Sequence, residues 1–398
     1  MSRLLVIGAA TYQVTAIKRI KELGHEVYCV DYKNGAPGFL ISNGYKIIDV
    51  RDKANCLKYA RSLNVDGVLT WGSSLTLETT SYVASSMSLP SLSLDTACLA
   101  TNKYKIRKRL SECGLNVSGE AFILKNLDEI QNHEYKIPLV VKPCDGSGSK
   151  GVKIVYDKAF LYSSLKYAFD NARNNEIYIE PFIKGDEYSV EAYAYNGEIF
   201  IYSIVKTKFT WKHVFPEYTQ TTYLDVSKEL ECAIESEIKK AVKALNINFG
   251  PANFDLIVSS QDNKPYIIDV GIRNGQNLIA SHIIPYSRGV DELNNQINIC
   301  LGRKINVKPK KMEYISSRLL IYSPGEIVDI KPFKHLIGNN HIVDIIMRKK
   351  TGDMLSHYET KADICGWVLT NGKTPEEALQ YSNEAWEILK KYIIIRHV

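Results

Sequence analysis

Apolar residues in the first hundred positions fall into short runs that are separated by polar, helix-forming segments. Leu4–Ile7, Glu26–Val30 and Gly67–Thr70 are rich in branched apolar residues, which predicts three short strands. Between the first two, Ala16–Leu23 carries apolar residues at helical spacing, and Gly24 follows as a stop signal. Strands that alternate with helices are typical of βαβ units, so we predict a parallel, doubly wound α/β sheet.

The pattern changes twice further along the chain. Near Asp95 the alternation ends, and from Ala121 onward the strand-like runs lie closer together, as expected for antiparallel hairpins. A stretch containing lysine and proline at residues 302–311 indicates a second boundary. Short β-like runs follow it, and then a helix for which Thr374 and Glu377 form a capping box. The chain is therefore expected to have three parts.

The composition is that of an ordinary globular protein, with 45% hydrophobic and 24% charged residues among 398. The net charge of +6 is small and the basic runs are short, which argues against a nucleic-acid partner. Eight scattered cysteines without a CxxC pair indicate reduced thiols rather than a zinc cage or a disulfide framework. No apolar run approaches the length of a membrane span or a signal-peptide core, so we expect a cytoplasmic protein without a membrane partner.

A glycine-rich loop between two strand-like segments is the strongest local signal. The apolar run at 137–143 is followed by the pattern GxGxxG, and residues 152–156 after the loop are again strand-like. A dinucleotide-binding loop would open a helix at this point. A glycine loop between antiparallel strands instead lies over phosphates like a flap, because its backbone N–H groups can approach them closely. The residues expected at the phosphates are Lys142, Gly146, Ser147, Gly148, Ser149, Lys150 and Gly151.

The loop has two alternative interpretations. A protein kinase also has a glycine flap, but the HRD and DFG sequences of its catalytic machinery are absent here. A plain flexible hairpin is the simpler alternative. The lysines at both ends of the loop, Lys142 and Lys150, favour a phosphate clamp over that hairpin.

The segment around Glu180 has the form of a nucleotide-binding linker. An apolar strand ends at Glu180, and Pro181, Phe182 and Ile183 lead to a second strand that begins at Glu187. Such a linker presents backbone groups to the edge of an adenine, and a carboxylate such as Glu187 can hold ribose hydroxyls. Taken alone, the segment is better explained by surface acids at strand ends.

A pair of acids on two neighbouring strand-like segments suggests a metal site. Asp255 and Asp269 are joined by a turn, so the two segments form a predicted hairpin in which the acids can face one another. Carboxylates so close repel unless a cation lies between them, and Mg²⁺ takes one or two carboxylates together with phosphate oxygens. Arg273, shortly after, could contact a phosphoryl group. The alternative is a solvated hairpin with its acids pointing outward.

Together these motifs resemble the ATP-grasp superfamily of carboxylate–amine ligases, in order and spacing over nearly the whole chain. The similarity is closest to the branch with the biotin carboxylase subunit, the carbamoyl-phosphate synthase large chain and the amino-acid ligases. The flap and the linker match that family's ATP site, and Lys103 matches its phosphate-contacting lysine ahead of the flap. Asp255 and Asp269 fall on its metal carboxylates and Arg273 on its active-site arginine.

The resemblance implies both an architecture and a reaction. The expected parts are a Rossmann-like pre-ATP-grasp domain, an ATP-grasp domain of two α+β halves and a small β-rich C-terminal domain, at 1–98, 99–302 (flap about 118–185) and 303–398. ATP with Mg²⁺, or Mn²⁺ in its place, would activate a carboxylate as an acyl phosphate, which an amino acid or small amine then captures. Arg273, Lys208 and Lys142 are the residues implied in catalysis.

The substrate is the least determined part of this interpretation. Candidate contacts are Ser73, Ser74 and Glu78 in the first domain, and His213 after the central strand. Gly271 stands where the family commonly has an asparagine that helps hold a second metal ion. A subunit that phosphorylates bicarbonate and a catalytically weak ATP-binding protein are the alternative functions. The resemblance also allows a homodimer.

Overall fold

The first hundred residues form the parallel sheet that the sequence predicts. The computed structural model describes residues 1–146, 150–212, 215–359 and 363–397. The sheet has the order β3-β2-β1-β4, and its strands are β1 (Arg3–Ile7), β2 (Glu26–Asp31), β3 (Gly44–Ile47) and β4 (Gly67–Leu69). The helices in this region are α1 (Thr11–Glu22), α2 (Lys53–Leu63), α3 (Leu77–Ser86) and α4 (Leu94–Leu99). The loops after β1 and β4 lie at the carboxyl edge of the sheet, where open α/β sheets bind ligands.

A small antiparallel sheet carries the glycine loop. It follows helix α5 (Lys103–Glu112), has the order β5-β8-β6-β7 and is backed by α6 (Leu161–Phe169). Its strands are β5 (Phe122–Leu124), β6 (Leu139–Pro143), β7 (Lys153–Val155) and β8 (Ile177–Pro181). Strands β6 and β7 pair antiparallel on either side of the loop, so the predicted strand–loop–strand flap is confirmed.

A larger antiparallel sheet forms the centre of the molecule. Its first strands are β9 (Gly185–Tyr195), β10 (Glu198–Lys212), β11 (Phe215–Thr222), β12 (Gly250–Ser259) and β13 (Pro265–Gly271). Helix α7 (Lys228–Ala244) covers one face, because Ile234, Ile238 and Ala241 recur at helical spacing and are fully buried there. Two further helices, α8 (Ile284–Arg288) and α9 (Glu292–Cys300), follow β13.

Three of the C-terminal strands extend this central sheet. The sheet order β13-β12-β9-β10-β11-β14-β18-β16 incorporates β14 (Tyr314–Leu320), β16 (Ile342–Met347) and β18 (Gly366–Gly372). A second, small sheet has the order β17-β15-β19, formed by β15 (Gly325–Ile330), β17 (Met354–Leu355) and β19 (Ile393–Arg396). Strand β14 pairs with β11 across the expected boundary near residue 303, so hydrogen bonding is continuous there.

The last helix has the predicted N-terminal cap. Helix α10 (Pro375–Leu389) begins after Thr374, whose hydroxyl accepts a hydrogen bond from the Glu377 N–H at 3.2 Å. The Glu377 carboxylate accepts in return from the Lys373 N–H at 2.8 Å. None of the helices in the described part of the chain combines the length and apolarity that crossing a bilayer requires.

Candidate active site

A cavity of about 740 Å³ lies where the parallel sheet, the flap sheet and the edge of the central sheet meet. The β1 and β4 loops form one wall, the flap sheet forms another, and the β12–β13 hairpin forms the floor. Most of the sequence-predicted site residues line this one cavity: Ser73, Ser74, Glu78, Lys103, Lys142, Gly146, Lys150, Glu180, Pro181, Phe182, Ile183, Glu187, Asp255, Asp269 and Arg273.

The two candidate metal carboxylates lie side by side on the floor. Asp255 of β12 and Asp269 of β13 are direct cross-strand partners, as the sequence predicts. Loss of hydration and the nearby charge of Asp269 raise the pKa of Asp255. Burial alone would raise the pKa of Asp269 too, but the positive charges of Lys103, Lys142 and Arg273 outweigh it and lower that pKa. Asp269 is therefore held ionised.

These carboxylates fit a Mg²⁺ ion that is shared with a phosphate. Within the described ranges, no group of three or more His, Cys, Asp or Glu side chains could hold a metal by itself. A site of two facing carboxylates is what Mg²⁺ uses when phosphate and water oxygens complete its shell. The Ser189 hydroxyl donates to Asp255 Oδ1 at 2.9 Å, which fixes the orientation of that carboxylate.

Two lysines approach the floor from opposite sides. Lys103, at the first turn of α5, forms an ion pair with Asp269. Lys142, on the flap strand β6, donates to the Ile268 carbonyl at 3.2 Å and pairs with Glu180 at 2.5 Å. Both ammonium groups therefore lie near the Asp269 carboxylate, where a triphosphate bound through Mg²⁺ would be placed.

Glu180 is the centre of a buried ionic cluster that the sequence did not reveal. Its side chain is only 2% exposed, and it accepts from Arg107 Nε at 3.2 Å as well as from the Ser118 hydroxyl at 2.5 Å. Arg107 also donates to the Gly119 carbonyl and is 4% exposed. The cluster joins α5 to the flap sheet. The signal in the sequence was a basic residue on the buried face of an otherwise exposed basic helix.

The adenine-linker prediction falls on the cavity wall beside this cluster. Pro181, Phe182 and Ile183 line the cavity directly after β8. The Phe182 ring packs edge-on against Tyr156, with their centroids 5.5 Å apart. An aromatic and aliphatic wall next to a backbone turn is suited to a flat heterocyclic base.

The local packing explains why a glycine occupies position 271. A Cβ at this position would lie 2.9 Å from the guanidinium carbon of Arg273, so a larger residue would displace that side chain. The Arg273 N–H also donates to the Gly271 carbonyl at 2.8 Å, which closes a tight turn. The departure from the family's asparagine thus makes room for the guanidinium of Arg273 beside the floor carboxylates.

The wall from the first domain carries a pair of opposite charges. Lys53 Nζ lies 2.6 Å from Glu78 Oε1, and both side chains line the cavity together with Arg51. The candidates Ser73 and Ser74 lie on the same wall, in the loop after β4. Sequence reasoning missed the two basic residues because they are distant from Glu78 along the chain.

Some sequence-predicted residues lie elsewhere. Lys208 does not line the cavity, and its Nζ lies 3.5 Å from Asp225, so the predicted phosphate contact has no support in this geometry. Gly151 also lies off the cavity lining, and a Cβ there would meet Pro143 at 2.5 Å, so it serves the packing of the flap. The candidates Ser147, Gly148, Ser149 and His213 fall outside the described residues.

Comparisons with known proteins find similarity in two parts of the chain. An ATP-grasp domain model matches residues 135–280, and an L-amino acid ligase C-terminal domain 2 model matches residues 318–392. D-alanine–D-alanine ligase A from Bacillus cereus is 31% identical over 166 residues, 41% of this chain and 52% of that protein. Dapdiamide A synthase from Enterobacter agglomerans is 27% identical over 183 residues, 43% of this chain and 42% of that protein. The chain spans about half the length of the curated relatives it matches.

Solved structures match over the whole fold. The L-amino acid ligase from Bacillus licheniformis has a TM-score of 0.82 at 22% identity, covering 100% of this chain and 99% of that one. Phosphoribosylglycinamide synthetase from Anaerococcus prevotii has a TM-score of 0.76 at 21% identity, with both chains covered completely. The predicted fold class is thereby confirmed. The resemblance is confirmed by the two family models, which identify an ATP-grasp domain at residues 135–280 and an L-amino acid ligase C-terminal domain 2 at residues 318–392.

Proposed function

We propose that this protein is an ATP-dependent carboxylate–amine ligase whose substrates include an amino acid. The observation that carries the proposal is the convergence, in one cavity, of the flap lysines, the Asp255–Asp269 pair and Arg273. A nucleotide bound by its base at the linker and by its phosphates at the lysines would place its γ-phosphate over the acidic floor. The carboxylate substrate would then attack from the side of the first-domain wall.

The protein's part in such a reaction is positioning and neutralisation of charge. Lys103 and Lys142 would hold the phosphates in line with the incoming carboxylate, and Arg273 would contact the phosphoryl group as it is transferred. Asp255 and Asp269 would hold Mg²⁺, which supplies charge neutralisation at the β- and γ-phosphates when bound. The flap would keep water away from the acyl phosphate until an amine displaces the phosphate.

The Lys53–Glu78 pair supports an amino acid as one substrate. A zwitterion presents an ammonium and a carboxylate, and this pair offers one partner for each charge in the cavity that Arg273 also lines. A charge-assisted hydrogen bond contributes about 1.5–3 kcal/mol. Glu78→Gln should therefore raise KM for the amino acid by about 10-fold or more, with KM for ATP unchanged.

The test is a phosphate-release screen in which amino acids and other carboxylic acids are crossed with amines. Asp269→Asn should lower turnover by on the order of 100-fold or more, since even groups that only orient metal ligands cost about 10–100-fold. Asp262→Asn, on the turn of the same hairpin and exposed, is the matched control and should retain activity. ATP turnover that depends on bicarbonate alone, or Asp269→Asn at the wild-type rate, would overturn the proposal.

A further inference from the structure

Two acidic residues lie completely buried beneath the loop that carries Arg273. Glu191 belongs to strand β9 and Glu292 to the first turn of α9, and each is 0% exposed. Their carboxyl groups lie within hydrogen-bonding reach of each other. The site described above uses neither of them. Two carboxylates in contact inside a protein are unstable unless a proton or a cation lies between them.

The loop that carries Arg273 forms hydrogen bonds with both acids. The Gly275 N–H donates to Glu191 Oε1 at 2.7 Å, and Asn274 Nδ2 donates to Glu292 Oε2 at 2.9 Å. The approach is so close that a Cβ on Gly275 would lie 2.6 Å from Glu191 Oε2. The same loop reaches the first domain, where Gln276 donates to the Gly72 carbonyl at 2.6 Å.

The hydrogen bonds distinguish the two acids. Both oxygens of Glu191 accept from the protein, since Asn253 Nδ2 donates to Oε2 at 3.1 Å in addition to the Gly275 N–H on Oε1. Glu292 has a donor only on Oε2, and among the described residues its buried Oε1 has none. A proton on that Oε1 would turn the orphan acceptor into a donor to Glu191, and every polar atom of the pair would then be satisfied.

The surrounding charges act in the same direction. Arg273 is the positive charge that acts on Glu191, whereas Asp291 adds a negative charge near Glu292. Burial raises the pKa of both acids, and the charge of Glu191 raises that of Glu292 further.

We propose that Glu292 carries a proton that it donates to ionised Glu191, and that this acid–carboxylate pair is a positioning unit for the loop of residues 273–276. The loop in turn places the Arg273 guanidinium, which donates to the Asn274 carbonyl at 2.9 Å. A second branch runs from Glu191 through Asn253 and Ser189 to Asp255, so the pair also supports the acidic floor. The inference rests on the proposed function only where turnover is the readout.

Isosteric variants separate the two acids. In Glu292→Gln the amide nitrogen replaces the proton and the amide oxygen still accepts from Asn274, so kcat should stay within about threefold of wild type. In Glu191→Gln an amide N–H must face either the Gly275 N–H or Asn253 Nδ2. One buried donor is thereby left without an acceptor, and kcat should fall about 10-fold or more, with less effect on KM for ATP. Glu237→Gln, a buried acid on α7, is the control.

A second measurement does not depend on turnover. Infrared difference spectra of wild type minus Glu292→Gln at neutral pH should show the carbonyl stretch of a protonated carboxylic acid. The infrared measurement tests the proposal even if no substrate is turned over, or if Glu191→Gln fails to fold. Equal kinetic losses in the two variants, a larger loss in Glu292→Gln, or the absence of the protonated band would overturn the assignment.

Discussion

Glu180→Gln is the substitution whose effect the structure defines best. The glutamate side chain is 2% exposed and stands between two cations, Arg107 at 3.2 Å and Lys142 at 2.5 Å. The glutamine keeps the shape but removes the negative charge, so two buried cations lose their compensation. Removing one partner of a buried pair costs about 3–5 kcal/mol. Lys142 opens onto the cavity and can regain water, so we expect about 3 kcal/mol, at the lower end of that range.

The assay is thermal unfolding by calorimetry, without nucleotide. A loss of 3 kcal/mol corresponds to a fall in Tm of about 6–12 °C for a folding unit of 150–250 residues. Glu176→Gln is the matched control on the neighbouring end of the same sheet, because its partner Lys125 is 67% exposed and 3.8 Å away. An exposed pair contributes about 0–1 kcal/mol, so Tm should hardly move. Equal shifts in the two variants, or no shift in Glu180→Gln, would refute the reasoning.

Further predictions concern the loop, the last helix, the floor and the thiols. Gly275→Ala should lower kcat about 10-fold, because its Cβ would lie 2.6 Å from Glu191 Oε2, and wild-type kinetics would contradict this. Thr374→Ala should cost about 1 kcal/mol, seen as a Tm about 2–4 °C lower, through loss of the helix cap. Asp269→Asn should bind Mg²⁺-free ATP about 10-fold more tightly in calorimetric titration, since Lys103 is released, and unchanged or weaker affinity would contradict this. A thiol reagent should quickly modify the three exposed cysteines, Cys98, Cys113 and Cys232. The buried cysteines should react only after denaturation, because burial raises the pKa of their thiols to about 12. These are Cys29, Cys56, Cys144, Cys300 and Cys365.

Local patterns in the sequence predicted the elements whose partners are close along the chain. The strand predicted at Leu4–Ile7 is observed at Arg3–Ile7, and that predicted at Glu26–Val30 is observed at Glu26–Asp31. Asp255 and Asp269 face each other as predicted, but the turn alone does not set this pairing. The regular register from the turn would place Ile268 opposite Asp255, and a bulge between Asp255 and Leu256 shifts the pairing to Asp269. For the two strands of the first sheet, the spacing of the apolar residues was enough to predict the element without reference to distant segments.

Contacts between distant segments could not be predicted in the same way. Strand β14 pairs with β11, with Thr219 opposite Arg318, although the two strands are separated by the β12–β13 hairpin and by helices α7, α8 and α9. The sequence of neither segment indicates which strand it pairs with, since strand propensity predicts that a strand forms but not which neighbour it has. The domain boundary expected near residue 303 stays a prediction, since β14 beyond it pairs with β11 before it.

The surroundings of Lys208, whose phosphate contact stays a prediction, also depend on contacts between distant segments. Lys206 and Lys208 lie two residues apart on β10, so they share a face of the sheet. Lys206 is buried between Asp186 and Asp225, at 2.7 and 2.8 Å, and Lys208 shares the second of these acids. A lysine in a strand of an ATP-binding fold therefore need not reach phosphate. The acid that engages it lies in a loop that the sequence could not place beside it.

The ion pairs of the cavity also explain why its cations can remain in place before a nucleotide arrives. Lys103 pairs with Asp269 and Lys142 with Glu180, so each lysine is neutralised by an acid of its own. A triphosphate must compete with these acids for the lysines, unless the acid is itself engaged elsewhere. A cation at Asp269 would engage that acid and leave Lys103 free for a phosphate, which makes metal and nucleotide binding mutually favourable. Neutralising Asp269 by substitution should mimic only half of this effect: nucleotide affinity rises because Lys103 is free, while turnover falls because the metal carboxylate is gone.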